Sequence, residues 1–283
     1  QVEEGFPPTK KAKKQKGAGR QMCETVSGRP AFLYLPARQS DRLYEPSATT
    51  TPYDTKESKL IFQKYSRIVF VGDSITDADR DRTAIPGGWG YGHGYVNTLH
   101  NLLTAVYPDK ALCTINEGIN GNDIVDMSER WQSDVIDMNP DYVSIMIGVN
   151  DAWRYFDGPL WQARLNTVET YERIYDELIE RVKQGAPNLK GVIVMRPFMF
   201  EPNPQDAMRA KVEEFAAASK RVAERHGAIF VDTQAAADHW LTQLHGCLAS
   251  QDRVHPYERG AMIIARAWCQ AVGFDWNRTT FDD

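Results

Sequence analysis

The chain of 283 residues is 42% hydrophobic and 25% charged, a globular composition with enough apolar sequence for one large domain or two small ones. No apolar run reaches the roughly 18 residues that a membrane-spanning helix needs, so no span is expected. The net charge of −5 is uneven: six Lys and Arg residues against Glu3 and Glu4 give residues 1–20 a net of +4, leaving −9 on the remainder, which argues against nucleic acid as a partner. No signal-peptide core is visible and residue 1 is Gln, so a soluble protein is expected, in the cytoplasm or secreted after loss of a signal. Cys23, Cys113, Cys247 and Cys269 lack the spacing of a metal finger or redox pair, and Cys113, in a strand-like run, reads as a buried thiol.

Residues 1–59 are rich in Lys, Pro, Thr and Gly around one apolar patch, Ala31-Phe32-Leu33-Tyr34-Leu35. They read as an extended, partly disordered N-terminal arm, and 60–283 as the folded domain. Five short apolar runs follow as strands: 68–72, 111–116, 142–147, 191–195 and 228–232. Between them, Tyr95, Leu99, Leu102, Leu103 and Val106 recur at helical spacing before Pro108. Val168, Tyr171, Ile174, Tyr175, Leu178 and Ile179 trace an apolar stripe within 165–182, and Val212, Phe215, Ala216, Ser219 and Val222 another within 206–226. A last helix runs from Tyr257 to Val272 and stops at Gly273. Strand alternating with helix implies an α/β fold, a parallel sheet covered on both faces.

The first three strands end in distinctive turns: Gly72-Asp73-Ser74, then Gly118-Ile119-Asn120-Gly121, then Gly148-Val149-Asn150-Asp151. Asp252-Arg253-Val254-His255-Pro256 stands before the last helix. In a sheet of order 2-1-3-4-5 the ends of strands two, one and three are neighbours, which would bring Ser74, Gly121 and Asn150 to one pocket. Acyl transfer needs this set. A serine hydroxyl becomes nucleophilic when an imidazole takes its proton, and the imidazole needs a partner on its other nitrogen. Asp252 and His255, three apart, can supply that pair, with Pro256 keeping His255 out of helical geometry. The backbone N–H groups of Ser74 and Gly121 and the Asn150 amide suit an oxyanion, and glycine at 121 permits close backbone approach. Each residue alone has a plainer reading: Ser74 as a helix cap, Asn150 and Asp151 as Asx-turns, Asp252 as a cap, His255 as a surface histidine.

Taken together, Gly-Asp-Ser74, Gly121, Gly148-x-Asn150-Asp151 and Asp252-x-x-His255 resemble the SGNH (GDSL) hydrolase superfamily over about residues 60–275. The resemblance implies a three-layer α/β/α sandwich on a flavodoxin-like five-stranded parallel sheet. It also implies Ser74 as nucleophile, His255 as base and acid, Asp252 as its orienter, and Ser74, Gly121 and Asn150 as oxyanion donors. The chemistry calls for no metal and no organic cofactor. Gly72-Asp73-Ser74-Ile75-Thr76-Asp77, Gly94-Tyr95-Val96, the run from Val143 to Asp151 and the run from Phe230 to Ala236 further resemble bacterial acetylxylan esterases. That branch implies removal of acetyl groups from xylan-derived sugars and assembly as a homo-oligomer. The arm has no counterpart there, and Gln251 stands where the branch carries an aromatic residue.

Asp73, Trp89, Tyr91, Trp153 and Gln251 are the candidate substrate-lining residues. Tyr95, Tyr155, Phe156 and Trp161 are further aromatics that suit either a sugar face, the core or an interface. The expectation is thus a serine esterase acting on a small-molecule or oligosaccharide ester. The alternatives are a lipolytic esterase, lysophospholipase or thioesterase of the same superfamily, and a non-catalytic carbohydrate-binding protein on a hydrolase fold.

Overall fold

Strand Arg67–Gly72 (β1) is buried on both faces from Ile68 onward, the burial its unbroken apolar sequence implies. It pairs in parallel with Cys113–Gly118 (β2) on one side and Tyr142–Met146 (β3) on the other. Gly191–Met195 (β4) and Ile229–Val231 (β5) complete an all-parallel sheet of order β2-β1-β3-β4-β5. The computed structural model describes residues 59–159 and 164–281. The expected arm, Cys23 and Trp161 lie outside the described residues.

The helices form two groups, one on each face, making the α/β/α sandwich. Tyr95–Val106 (α2) and Thr233–Leu241 (α7) pack on Glu258–Ala271 (α8). On the other face Ile124–Glu129 (α3) packs on Val168–Gly185 (α5), which packs on Ala207–His226 (α6). Two short helices, Ser74–Asp77 (α1) and Val149–Trp153 (α4), follow the ends of β1 and β3. Among the described residues no helix is long and apolar enough to cross a membrane.

The expected elements recur with shifts that have local causes. β2 runs two residues later than 111–116, because Ala111 takes a left-handed conformation (φ 45°) that closes the 3₁₀ turn Pro108–Lys110. The strand then carries Glu117, a charge tolerated because Arg80 pairs with it at 3.0 Å. α5 begins at Val168 rather than 165, since the Thr167 hydroxyl accepts the Thr170 N–H and sets the cap there. Cys113 is only half-buried; Cys269 is the buried thiol, its pKa pushed up to about 12 by burial. The sequence reading missed α3, α7 and the π-helical turn Gln132–Ile136 after α3.

Candidate active site

The last register pairs, Gly72 with Gly118 and Gly72 with Met146, bring three strand ends to one level. A Cβ on Gly72 would lie 2.2 Å from the Met146 carbonyl oxygen, so only glycine allows this approach. Ser74 opens α1 but does not cap it. The cap is Asp73, whose carboxylate accepts the Ile75 N–H at 2.9 Å, leaving the Ser74 hydroxyl free to face outward.

Ser74 Oγ donates to His255 Nε2 over 2.7 Å, and His255 Nδ1 donates to Asp252 Oδ2 over 2.6 Å. These roles follow from the carboxylate, which can only accept when ionised. Asp252 does not cap the last helix, whose N-cap is Tyr257; its two oxygens divide between its own loop and the His255 ring. Oδ1 accepts the N–H groups of Val254 (2.9 Å) and His255 (2.8 Å) and the Ser250 hydroxyl (3.0 Å), building the loop. Oδ2 faces the imidazole. Burial pushes the Asp252 carboxyl up, but the His255 ring and the two backbone N–H groups outweigh it and bring its pKa down to about 2. The loop is tied by Arg253, whose guanidinium reaches Glu201 at 2.7 Å and Asp206 at 3.0 Å, and whose carbonyl accepts from the Phe200 N–H.

Gly121 has φ 79°, the left-handed region that favours glycine. The space beside it is open, with Arg154 Nη2 3.8 Å from an added Cβ, so backbone conformation rather than close approach is what calls for glycine. Its turn is held from three sides. The Ile119 N–H donates to the Gly72 carbonyl, the Asn120 N–H to Asp77 Oδ2 (3.0 Å), and Arg154 Nη2 to the Gly121 carbonyl (3.0 Å). Asn150, buried at the start of α4, donates one amide hydrogen to the Asn122 carbonyl at 2.9 Å, which aims the amide. Among the described residues no acceptor takes the backbone N–H of Ser74 or Gly121. Two N–H groups and one side-chain amide are therefore available near the hydroxyl.

Two buried carboxyls frame this region. Burial raises the Asp73 pKa to about 7 against the Ile75 N–H and the charges of His255 and Arg130; among the described residues its Oδ2 has no partner. Burial and the Asp123 charge raise Asp151 to about 7, although its oxygens accept from the Ile124 N–H and the Asn166 amide.

A cavity of about 530 Å³ contains Ser74, Gly121, Asn150 and His255. Trp153 forms part of its wall, the indole centroid 5.8 Å from that of His255. The other expected lining residues lie elsewhere. Asp73 is buried beneath Ser74 by its capping role. Tyr91 is buried, stacked on His100 at 4.1 Å with its hydroxyl donating to the Thr114 carbonyl. Trp89, 64% exposed, borders a separate 220 Å³ cavity with Tyr91. Gln251 borders a third cavity behind Asp252, its amide oxygen accepting from Tyr257. Tyr95 is core, and Tyr155 bonds the Asn166 carbonyl.

The sequence reading missed five polar residues on the pocket wall: Asp79, His93, Asn120, Arg154 and Asp157. Arg154 pairs with Asp157 at 2.8 Å, and Asp79 lies 3.6 Å from His93. Arg154 had one local signal, its position one helical turn after Asn150. Among the described residues no group of three or more His, Cys, Asp or Glu side chains is arranged to hold a metal ion.

Residues 70–263 match the GDSL-like lipase/acylhydrolase family. The chain is 42% identical to an acetylxylan esterase from Geobacillus stearothermophilus over 75% of its own length and 96% of the relative's. A crystal structure of that organism's acetylxylan esterase superposes with a TM-score of 0.72 at 40% identity, covering 77% of this chain and 99% of the other. An α/β hydrolase from the metagenome of Lake Arreo, Spain, superposes with a TM-score of 0.73 at 43% identity over 76% of this chain and 99% of the other. Structures described as catalytic mutants of the Geobacillus esterase replace a serine, an aspartate and a histidine by alanine, the last two three positions apart.

Proposed function

Because the chain belongs to the GDSL-like lipase/acylhydrolase family, and is thus a carboxylic ester hydrolase, we propose that Ser74, His255 and Asp252 remove acetyl groups from xylan-derived sugars through an acetyl-enzyme. The observation that carries this is the continuous hydrogen-bonded chain from Ser74 Oγ through both imidazole nitrogens to Asp252 Oδ2. The aspartate–histidine spacing matches that of the catalytic mutants in the Geobacillus esterase.

Ser74 Oγ attacks the acetyl carbonyl carbon while His255 Nε2 takes its proton, and the imidazolium is stabilised by ionised Asp252. The carbonyl oxygen becomes an oxyanion held by the N–H groups of Ser74 and Gly121 and the Asn150 amide. As the intermediate collapses, the bond to the sugar oxygen breaks and His255 Nε2–H protonates that oxygen. Water then attacks the acetyl-Ser74 carbonyl with His255 again as base. The second intermediate expels Ser74 Oγ, which regains its proton, and acetate leaves.

The polar wall residues Asp79, His93, Arg154 and Asp157 favour a hydroxyl-rich leaving group over a long alkyl chain. Deacetylation of acetylated xylo-oligosaccharides tests the proposal, with Ser74→Ala expected to abolish turnover while leaving the circular dichroism spectrum unchanged. A clear preference for medium-chain esters or acyl-thioesters would replace the acetyl-sugar substrate with a lipid-like one. By the same family likeness the chain is proposed to self-associate, which light scattering reads directly.

A further inference from the structure

Arg130 is absent from the pocket wall, yet its guanidinium bonds the turns that bear Ser74 and Gly121 and reaches the Asn150 amide through Asn122. It follows the last residue of α3, and its side chain is only 12% exposed. Nε donates to Asn122 Oδ1 at 2.6 Å, Nη1 to the Glu117 carbonyl at 2.7 Å, and Nη2 to the Gly72 carbonyl at 2.9 Å. Asp134, brought round by the π-helical turn, accepts from Nη1 at 2.9 Å and balances the charge.

The partners are informative. Gly72 ends β1 two residues before Ser74, and its carbonyl also receives the Ile119 N–H that starts the Gly121 turn. Asn122 follows Gly121, and its own carbonyl accepts the Asn150 amide. One planar fork therefore lies within two residues, or one further hydrogen bond, of all three proposed donors. The bonds fall where β1 and β2 end, so they locate the turns rather than extend the sheet ladder.

We propose that Arg130 is a positioning residue for the oxyanion site, holding the Ser74, Gly121 and Asn150 turns in one mutual geometry. The role rests on the serine-esterase reading above. Lysine cannot replace it, because a single ammonium cannot satisfy carbonyls and an amide spread around a guanidinium.

The test is a double-mutant cycle of Arg130→Lys with Asn150→Ala, read as kcat and KM on 4-nitrophenyl acetate. Arg130→Lys is expected to lower kcat by about 10- to 100-fold, the scale of a displaced catalytic group, with KM within about twofold. In the Asn150→Ala background the same change should cost at least about threefold less, because one donor it positions is already gone. Asn122→Ala, which cuts one arm without burying an unpaired charge, should show the same coupling and serves if Arg130→Lys does not fold. Independent multiplication of the losses, or an effect confined to KM or to thermal stability, would overturn the role. Ser74→Ala in the same assay separates the two levels: with it inactive, absent coupling overturns the role of Arg130 alone, whereas retained turnover overturns both.

Discussion

Ser74, Gly121 and Asn150 stand on turns anchored in a buried sheet, whereas Asp252 and His255 ride on an exposed loop that carries its own scaffolding. Asn150 is buried, while the Asp252 and His255 side chains are 41% and 46% exposed. The first half owes its geometry to strand register and to long-range bonds such as Arg154 to Gly121 and Arg130 to Gly72. The second owes its internal geometry to one carboxylate, which shapes the loop with Oδ1 and orients the imidazole with Oδ2, and its seat to the bonds of Arg253 with Glu201, Asp206 and Phe200. The proposed donors thus require the whole sheet, while the proposed base requires a local turn pinned beside it.

The sharpest break between the halves is Asp252→Asn. The carboxamide oxygen can keep the loop bonds that Oδ1 makes, so the protein should still fold, with melting temperature lowered only by the contribution of the lost charge. Loss of the anionic partner should still lower kcat on the order of 10⁴-fold at neutral pH. A loss of thermal stability beyond that contribution would show that the loop is less self-contained than its bonds imply. Next comes Asn150→Ala, expected to cost about 100- to 1000-fold in kcat, the usual scale for one oxyanion donor. A loss below about tenfold would remove Asn150 from that role.

Gly121→Ala separates conformation from packing on the sheet side. The added methyl meets open space, so its cost comes from the left-handed backbone, about 1–2 kcal/mol of stability. Urea unfolding reads that loss, and kcat should fall by less than for Asn150→Ala. An unchanged midpoint would show that the turn relaxes to another conformation.

The smallest expected effect is on stability against pH. Asp73 and Asp151 have folded pKa values raised to about 7 from an ordinary 3.8. Their contribution is greatest below the unfolded value and is lost as pH rises through about 7, because the folded state holds protons that the unfolded chain has released. Asp252, lowered to about 2, acts oppositely: its contribution is present above 3.8 and is lost as pH falls through about 2. Between pH 5 and 8 Asp73 and Asp151, helped by Glu117, which burial also raises, and opposed by His100, which burial lowers, make thermal stability higher at pH 5. Asp151→Asn, neutral throughout, should flatten that difference. An equal slope in the variant would show that Asp151 is already ionised in the folded protein.

The sequence by itself determined the strand-end turns and the Asp252–His255 spacing, because these features are local, while the sheet order came from the family resemblance and is set by the tertiary structure. Apolar runs, a glycine at a turn and two residues three apart can be read from neighbours in the chain. Only the tertiary structure decided which side chains reach the pocket. Tyr91 and Tyr95 turn into the core and Gln251 faces another cavity, since the packing of distant elements sets their directions. Likewise no local pattern marks Arg130, whose bonds join α3 to strand ends 13 and 58 residues away in sequence. Such a contact exists only once parallel strands, linked by long crossovers, have brought their carboxyl ends together.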